Sequence, residues 1–109
     1  MVYVYLIEAE IEDVIQYKIG VSKHPYKRIN ELKTANPNIT GVKNKYNCEN
    51  REYAFIVESL FHKKYLKNKI NGEWYLLEED DILMFEKNCK AFYDRAKLYK
   101  KIKNNINII

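Results

Sequence analysis

Residues 2–7 are apolar on both faces of an extended chain. Val2, Val4 and Leu6 fall on one side, and Tyr3, Tyr5 and Ile7 on the other. A strand apolar on both sides belongs in the middle of a sheet with cover above and below. An acidic loop follows, and residues 16–22 read as a second strand, so the two should pair as a hairpin. His24-Pro25 opens a helix with proline at a tolerated first-turn position. It runs to about Ala35, and Asn36-Pro37-Asn38 ends it. Residues 41–48 form a third strand, and a second helix spans 51–67 with Asn50 as its N-cap. A turn over 68–72 leads to a short extended piece at 74–77. The last helix begins in the acidic run 78–81, where carboxylates favour a helix start. Its stripe of Ile82, Phe85, Cys89, Phe92, Ala96 and Tyr99 keeps helical spacing. The order ββαβαα implies an α+β fold: a small antiparallel sheet flanked by helices, with a long C-terminal helix. One domain over 1–103 and a frayed tail over 104–109 are expected.

The chain has 109 residues, of which 47% are hydrophobic and 31% charged, an ordinary balance for one folded domain. No run reaches the roughly 18 apolar residues of a membrane span, and Met1 leads straight into the first strand. A soluble cytoplasmic protein is expected, in a host cell if the source is viral. Cys48 and Cys89 have no CxxC or Cys/His neighbour at ligand spacing, which argues against a structural zinc site and against a disulfide framework.

Charge is unevenly spread around a net +4. Glu8, Glu10, Glu12 and Asp13 crowd the N-terminal segment, whereas residues 87–103 carry seven Lys/Arg against Asp94 alone. That polarity suits a protein that meets phosphate on one side, although a solvated Lys-rich helix face would look the same. Lys90, Lys97 and Lys101 share one face of the last helix and are candidates for gripping a DNA backbone without reading sequence. The chain has only three arginines and three glycines, so a guanidinium in this Lys-rich background marks a position that requires a planar, two-pronged donor.

Two charged residues occupy helix faces that otherwise point to the core. Arg28 falls inside the arc of Ile29, Leu32 and Ala35, and Glu58 inside the stripe of Ala54, Val57, Phe61 and Tyr65. Such a charge is costly unless it is paired, metal-bound or turned into a cleft. Either Arg28 and Glu58 bridge each other, or they serve as a phosphate-binding guanidinium beside a metal-binding carboxylate. His62, one turn after Glu58, either contacts it along the helix or shares a cation with it. Tyr3, Tyr5 and Tyr17 on the hairpin strands, with Lys18 beside Ile19-Gly20, are either sheet packing or groups able to relay a proton.

Together, Tyr3-Val4-Tyr5, Tyr17-Lys18-Ile19-Gly20, Arg28, Glu58 and Gly72-Glu73-Trp74 resemble the GIY-YIG nuclease superfamily. The likeness is to its phage and large-virus branch, where the signature drifts toward Tyr-x-Tyr, Lys-Ile-Gly and Gly-Glu-Trp. It covers residues 2 to about 77. The resemblance implies a three-stranded antiparallel sheet flanked by helices, and a DNA endonuclease that uses one Mg²⁺ or Mn²⁺. Tyr5 matches the tyrosine of the first triad and Gly20 the glycine that lets the chain turn near the site. Arg28 matches the phosphate-contacting arginine and Glu58 the metal-binding glutamate. Two departures stand out. Tyr3 replaces the first-triad glycine, and Lys18 replaces the usual tyrosine of the second triad, with Tyr17 just before it. If that tyrosine is the general base, then Lys18, Tyr17 or a bound water takes its place, and His62 supplies the imidazole that relatives place after the arginine. Trp74 is expected in the core, and Glu73 is either a turn residue or a further carboxylate of the site. The expected partner is double-stranded or branched DNA, with room for a homodimer or a protein that supplies specificity. The rival readings are a domain of the same fold that binds nucleic acid without cutting it, and an adaptor that uses the Tyr-rich sheet to hold a protein.

Overall fold

A computed structural model describes the backbone of residues 1–108 and the side chains through residue 105. Two long strands, β1 (Tyr3–Ile11) and β2 (Val14–Ser22), pair antiparallel along their whole length. They are longer than the hydrophobic pattern suggested. The expected acidic loop is only the two-residue turn Glu12-Asp13, and both residues have positive φ (51° and 66°). This is the geometry whose twist matches a hairpin, and it lets the strands continue to Ile11 and from Val14.

Helix α1 (Pro25–Ala35) starts and stops where its prolines predicted. β3 (Ile39–Asn47) then returns along the other side of β1, with register shifts between Leu6 and Ile7 and between Glu8 and Ala9. Helix α2 (Arg51–Lys64) is capped by Asn50, whose Oδ1 accepts from the Tyr53 amide at 2.9 Å. It ends three residues sooner than expected and passes through a single 3₁₀ turn, Leu66–Asn68, into β4 (Lys69–Asn71) and β5 (Trp74–Tyr75). The sheet therefore has five strands, in the order β3-β1-β2-β5-β4, where three were expected. At three and two residues, the added strands are too short to show a two-residue alternation in sequence.

The last helical stretch is likewise divided, into α3 (Glu79–Leu83) and α4 (Phe85–Ile108). The Met84 amide still donates to the Asp80 carbonyl at 3.0 Å, so the break is a single hydrogen-bonded turn rather than a loop. The α4 backbone continues past Asn104, where fraying was expected, to Ile108; Ile109 lies outside the described residues. Its buried stripe is Phe85, Cys89, Tyr93 and Ala96, with Tyr99 exposed. Among the described residues no helix is long and apolar enough to cross a membrane.

Both faces of β1 are covered, as its sequence predicted. Val4 and Leu6 pack with Ile19, Val57, Phe61 and Phe85 beneath α2 and α4. Tyr5, Ile7 and Ala9 pack with Ile29 and Ile39 beneath α1. The larger core is tied by Phe61, whose ring stacks on Phe85 at 5.3 Å and meets Phe92 edge-on at 4.9 Å. Cys48 and Cys89 are both free and fully buried in this core.

The hairpin turn gives a direct test of the local energetics. Left-handed backbone costs a residue with a Cβ about 1–2 kcal/mol, and Asn-Gly is the pair that tolerates it best. Glu12→Asn combined with Asp13→Gly should stabilise the fold by roughly 1 kcal/mol, seen as a higher melting temperature. An unchanged or lower melting temperature would show that the turn is not under this strain.

Candidate active site

β5 pairs with β2 only at Tyr17↔Tyr75, so the outer edge of β2 from Lys18 onward has no strand beside it among the described residues. Helix α2 lies along that edge. The His62 Nε2–H donates to the Ile19 carbonyl at 3.3 Å, and the imidazole stacks on Tyr75 with ring centroids 5.9 Å apart. α2 thus reaches past the edge of the sheet, and its side chains can meet residues from the α1 face. The result is a cleft of about 200 Å³.

Its floor comes from the hairpin. Tyr5 lies directly opposite Gly20, and a Cβ built on Gly20 would sit 2.5 Å from Tyr5 Cζ. Only glycine admits the phenol there, which is a steric reason for a glycine that is not conformational. Lys18 lies on the same face, two residues earlier. Its Nζ meets the Glu73 carboxylate at 2.5 Å. Glu73 follows Gly72, whose φ of +56° makes the tight β4–β5 turn, so Glu73 is both a turn residue and a carboxylate of the cleft. α1 contributes Arg28, and α2 contributes Glu58 and His62.

The cleft therefore gathers Tyr5, Lys18, Gly20, Arg28, Glu58 and His62 from elements widely separated in sequence. Other expectations are corrected. Tyr17 is buried in the core on the opposite face of β2, because adjacent residues of a strand point opposite ways. It has no access to the cleft. Arg28 is not core-facing, since its side chain is 48% exposed at the mouth, and its ion-pair partner is Glu31 at 3.3 Å, not Glu58. Lys90, Lys97 and Lys101 do not line the cleft. Lys90 and Lys97 flank Asp94 at 3.4 and 3.6 Å, and Lys97 covers the Tyr93 ring. The sequence signal that Glu73 belongs to the site was its place just after a turn glycine, which a one-dimensional reading leaves ambiguous.

Electrostatics separates the roles. Burial raises the Tyr5 phenol above its ordinary value, with Arg28 opposing and Glu58 and Glu73 adding to the rise, so it remains protonated at neutral pH. Burial also raises the Glu58 carboxyl, opposed by His62 and Lys18. Glu73 is lowered by its bond to Lys18. Two carboxylates of one cleft are thus pushed in opposite directions. Glu58 is half-buried, and among the described residues it has no cation within salt-bridge distance. No group of three His, Cys, Asp or Glu side chains among the described residues converges as a protein-only metal cage. One carboxylate and open space match an ion that keeps most of its water shell, as Mg²⁺ does.

The sequence matches the T5orf172 domain over residues 2–90, from the start of β1 through the first turn of α4. The chain belongs to the T5orf172 domain family. This is a phage-associated domain related to nuclease-like folds, and the matched span contains every residue of the cleft. Comparisons with curated proteins and with solved structures return no match.

The raised Glu58 pKa makes stability a probe of this T5orf172 cleft. The folded protein binds the Glu58 proton more tightly than the unfolded chain. That contribution is therefore fully present below the unfolded value and is lost as pH rises through the folded one. In EDTA at about pH 8, Glu58→Gln should melt higher than the parent, and the gap should close as the pH approaches about 4. Millimolar Mg²⁺ or Mn²⁺ should raise the parent's melting temperature by roughly a few degrees and leave Glu58→Gln unmoved. Equal responses in the two proteins would remove Glu58 as the cation ligand.

Proposed function

We propose that this T5orf172 domain is a divalent-metal-dependent DNA endonuclease that works by a GIY-YIG-type, one-metal mechanism. The observation that carries the reading is the unpaired, half-buried Glu58 carboxylate in one cleft with Arg28, Tyr5, Lys18 and His62. A structural ion pair would have joined Arg28 to Glu58; instead each is left to face the cleft.

Glu58 would hold Mg²⁺ or Mn²⁺ largely through water, and the ion, when bound, supplies neutralisation of charge on the departing 3′ oxygen. Arg28, at the exposed mouth, holds a non-bridging phosphate oxygen with its planar fork. Tyr5 stays protonated, so it orients the attacking water or donates to the phosphate and does not act as the base. Lys18 is paired with Glu73 as an ammonium and has no lone pair to accept a proton. It contributes positive charge under the phosphate. His62 is left as the proton acceptor. The Ile19 carbonyl takes its Nε2–H, which leaves the Nδ1 lone pair open.

The same Lys18–Glu73 pair favours a second reading, a domain that binds DNA with its chemistry lost, because the second-triad tyrosine is gone. The DNA contacts assigned to Lys90, Lys97 and Lys101 lie outside the cleft, and Asp94 offsets the charge of the first two.

Purified protein should nick supercoiled plasmid or branched DNA in Mn²⁺ or Mg²⁺ and not in EDTA. Arg28→Ala and Glu58→Ala should each slow nicking by roughly a hundredfold or more, with circular dichroism unchanged. His62→Ala should slow nicking by roughly a hundredfold, with circular dichroism unchanged. DNA that shifts in a gel but stays intact with either metal would establish the binding domain instead.

A further inference from the structure

Beside the cleft lies a larger depression of about 570 Å³ with aromatic and basic walls. The Lys45 Nζ is 4.8 Å from the ring centroids of both Tyr3 and Tyr26, so the two phenols flank one ammonium. Lys23, His24 and Lys27 complete the rim, and no acidic residue among those described lines it. Unlike Lys90 and Lys97, none of Lys23, Lys27 and Lys45 has a carboxylate within salt-bridge distance among the described residues. Tyr26, on the first turn of α1, is 60% exposed, far more than packing against the sheet beneath would leave it.

The depression neighbours the cleft through residues adjacent in sequence and register. Tyr3 lies on the same face of β1 as Tyr5, two residues or roughly 7 Å away. Lys45 is the direct cross-strand partner of Tyr5 on β3. Tyr26 and Lys27 immediately precede Arg28 on α1, whose first turn carries no acidic residue. A strand whose phosphate rests on Arg28 would pass next over this surface.

We infer that the depression receives an unpaired nucleotide of a DNA strand adjacent to the phosphate held in the cleft. Its base stacks on Tyr26 in place of the Lys45 ammonium, which turns with Lys23 and Lys27 toward the flanking phosphates. A base inside a duplex has both faces covered by its neighbours, so an aromatic ring set in a depression can take only an unstacked one. Basic groups interleaved with an exposed ring are what a single strand requires, since the charge follows the backbone and the ring accepts any base. The substrate is thereby narrowed to DNA with a single-stranded flap, fork or end beside the cut. The position of that cut rests on the nuclease reading; the binding itself does not.

The test is fluorescence anisotropy in EDTA with the full chain, which separates binding from cutting. The probes are a labelled single strand of roughly ten nucleotides, a blunt duplex of equal length and the same duplex with a single-stranded flap. The single strand and the flapped duplex should bind more tightly than the blunt duplex. Tyr26→Ala should weaken single-strand binding by roughly tenfold and leave blunt-duplex binding unchanged, and Tyr26→Trp should restore it. Lys45→Ala should lower the slope of log affinity against log salt by roughly 0.7, the loss of one phosphate contact. Equal affinity for single strand and blunt duplex, or a Tyr26→Ala variant that binds like the parent, would overturn the inference. An RNA strand bound more tightly than the DNA strand would overturn the assignment to DNA. Tyr26-dependent binding without metal-dependent nicking would sink the nuclease reading alone. Nicking without Tyr26-dependent binding would sink this inference alone.

Discussion

Everything at the cleft depends on how β2 is flanked. On one side it is paired with β1 from end to end, and on the other, among the described residues, it is paired only at Tyr17. A full neighbouring strand would have confined α2 to one face of the sheet and α1 to the other, with five strands of backbone between them. Because β4 and β5 are so short, the edge from Lys18 onward is left to α2, and the Ile19 carbonyl finds its donor in the His62 ring instead of a backbone amide. An exposed strand edge usually invites pairing with another chain. Here a helix covers it, and that cover is what lets Glu58 approach Tyr5 and Arg28 from around the rim.

The same placement sets the electrostatics. Glu58 is half-buried beside the sheet, and no cation in the described chain compensates it at ion-pair distance. Glu73 sits on an exposed turn and takes up the nearest cation, Lys18. The ion pair that did form therefore leaves the more buried carboxylate available. A half-buried carboxylate retained without a partner is a cost to stability, and the arrangement makes physical sense where a ligand supplies the missing charge.

The sequence carried most of the fold and most of the cleft. The two apolar faces of residues 2–7, the Pro25 helix start and the Asn50 cap all follow from local chemistry, and all stand in the structure. The misses have physical causes. β4 and β5 are shorter than any periodicity, and the Glu12-Asp13 turn uses left-handed backbone that neither residue advertises. Helical angle puts Arg28 on the core-facing arc of α1 and leaves open where its charge goes; the reach of the side chain carries the guanidinium out to the mouth. The Tyr3–Lys45–Tyr26 cluster draws on three elements, β1, β3 and α1, so no spacing along the chain could reveal it.

Tyr17 could have been resolved from the sequence alone, and it shows what the departure at position 18 entails. Adjacent strand residues face opposite ways, so only one of Tyr17 and Lys18 can look into the cleft. Ile19 must point to the core beneath α2, which fixes Tyr17 in the core and Lys18 at the cleft. No slip of register can bring the phenol back without turning Ile19 out and Lys18 into the apolar interior. With lysine fixed there, its charge calls for a counterion, and the Gly72 turn delivers Glu73 to it. In the proposed nuclease, the proton-accepting work that a tyrosine at position 18 would share falls instead to the His62 imidazole. His62 is fit for it because the strand edge it covers takes up one of its nitrogens and leaves the other open.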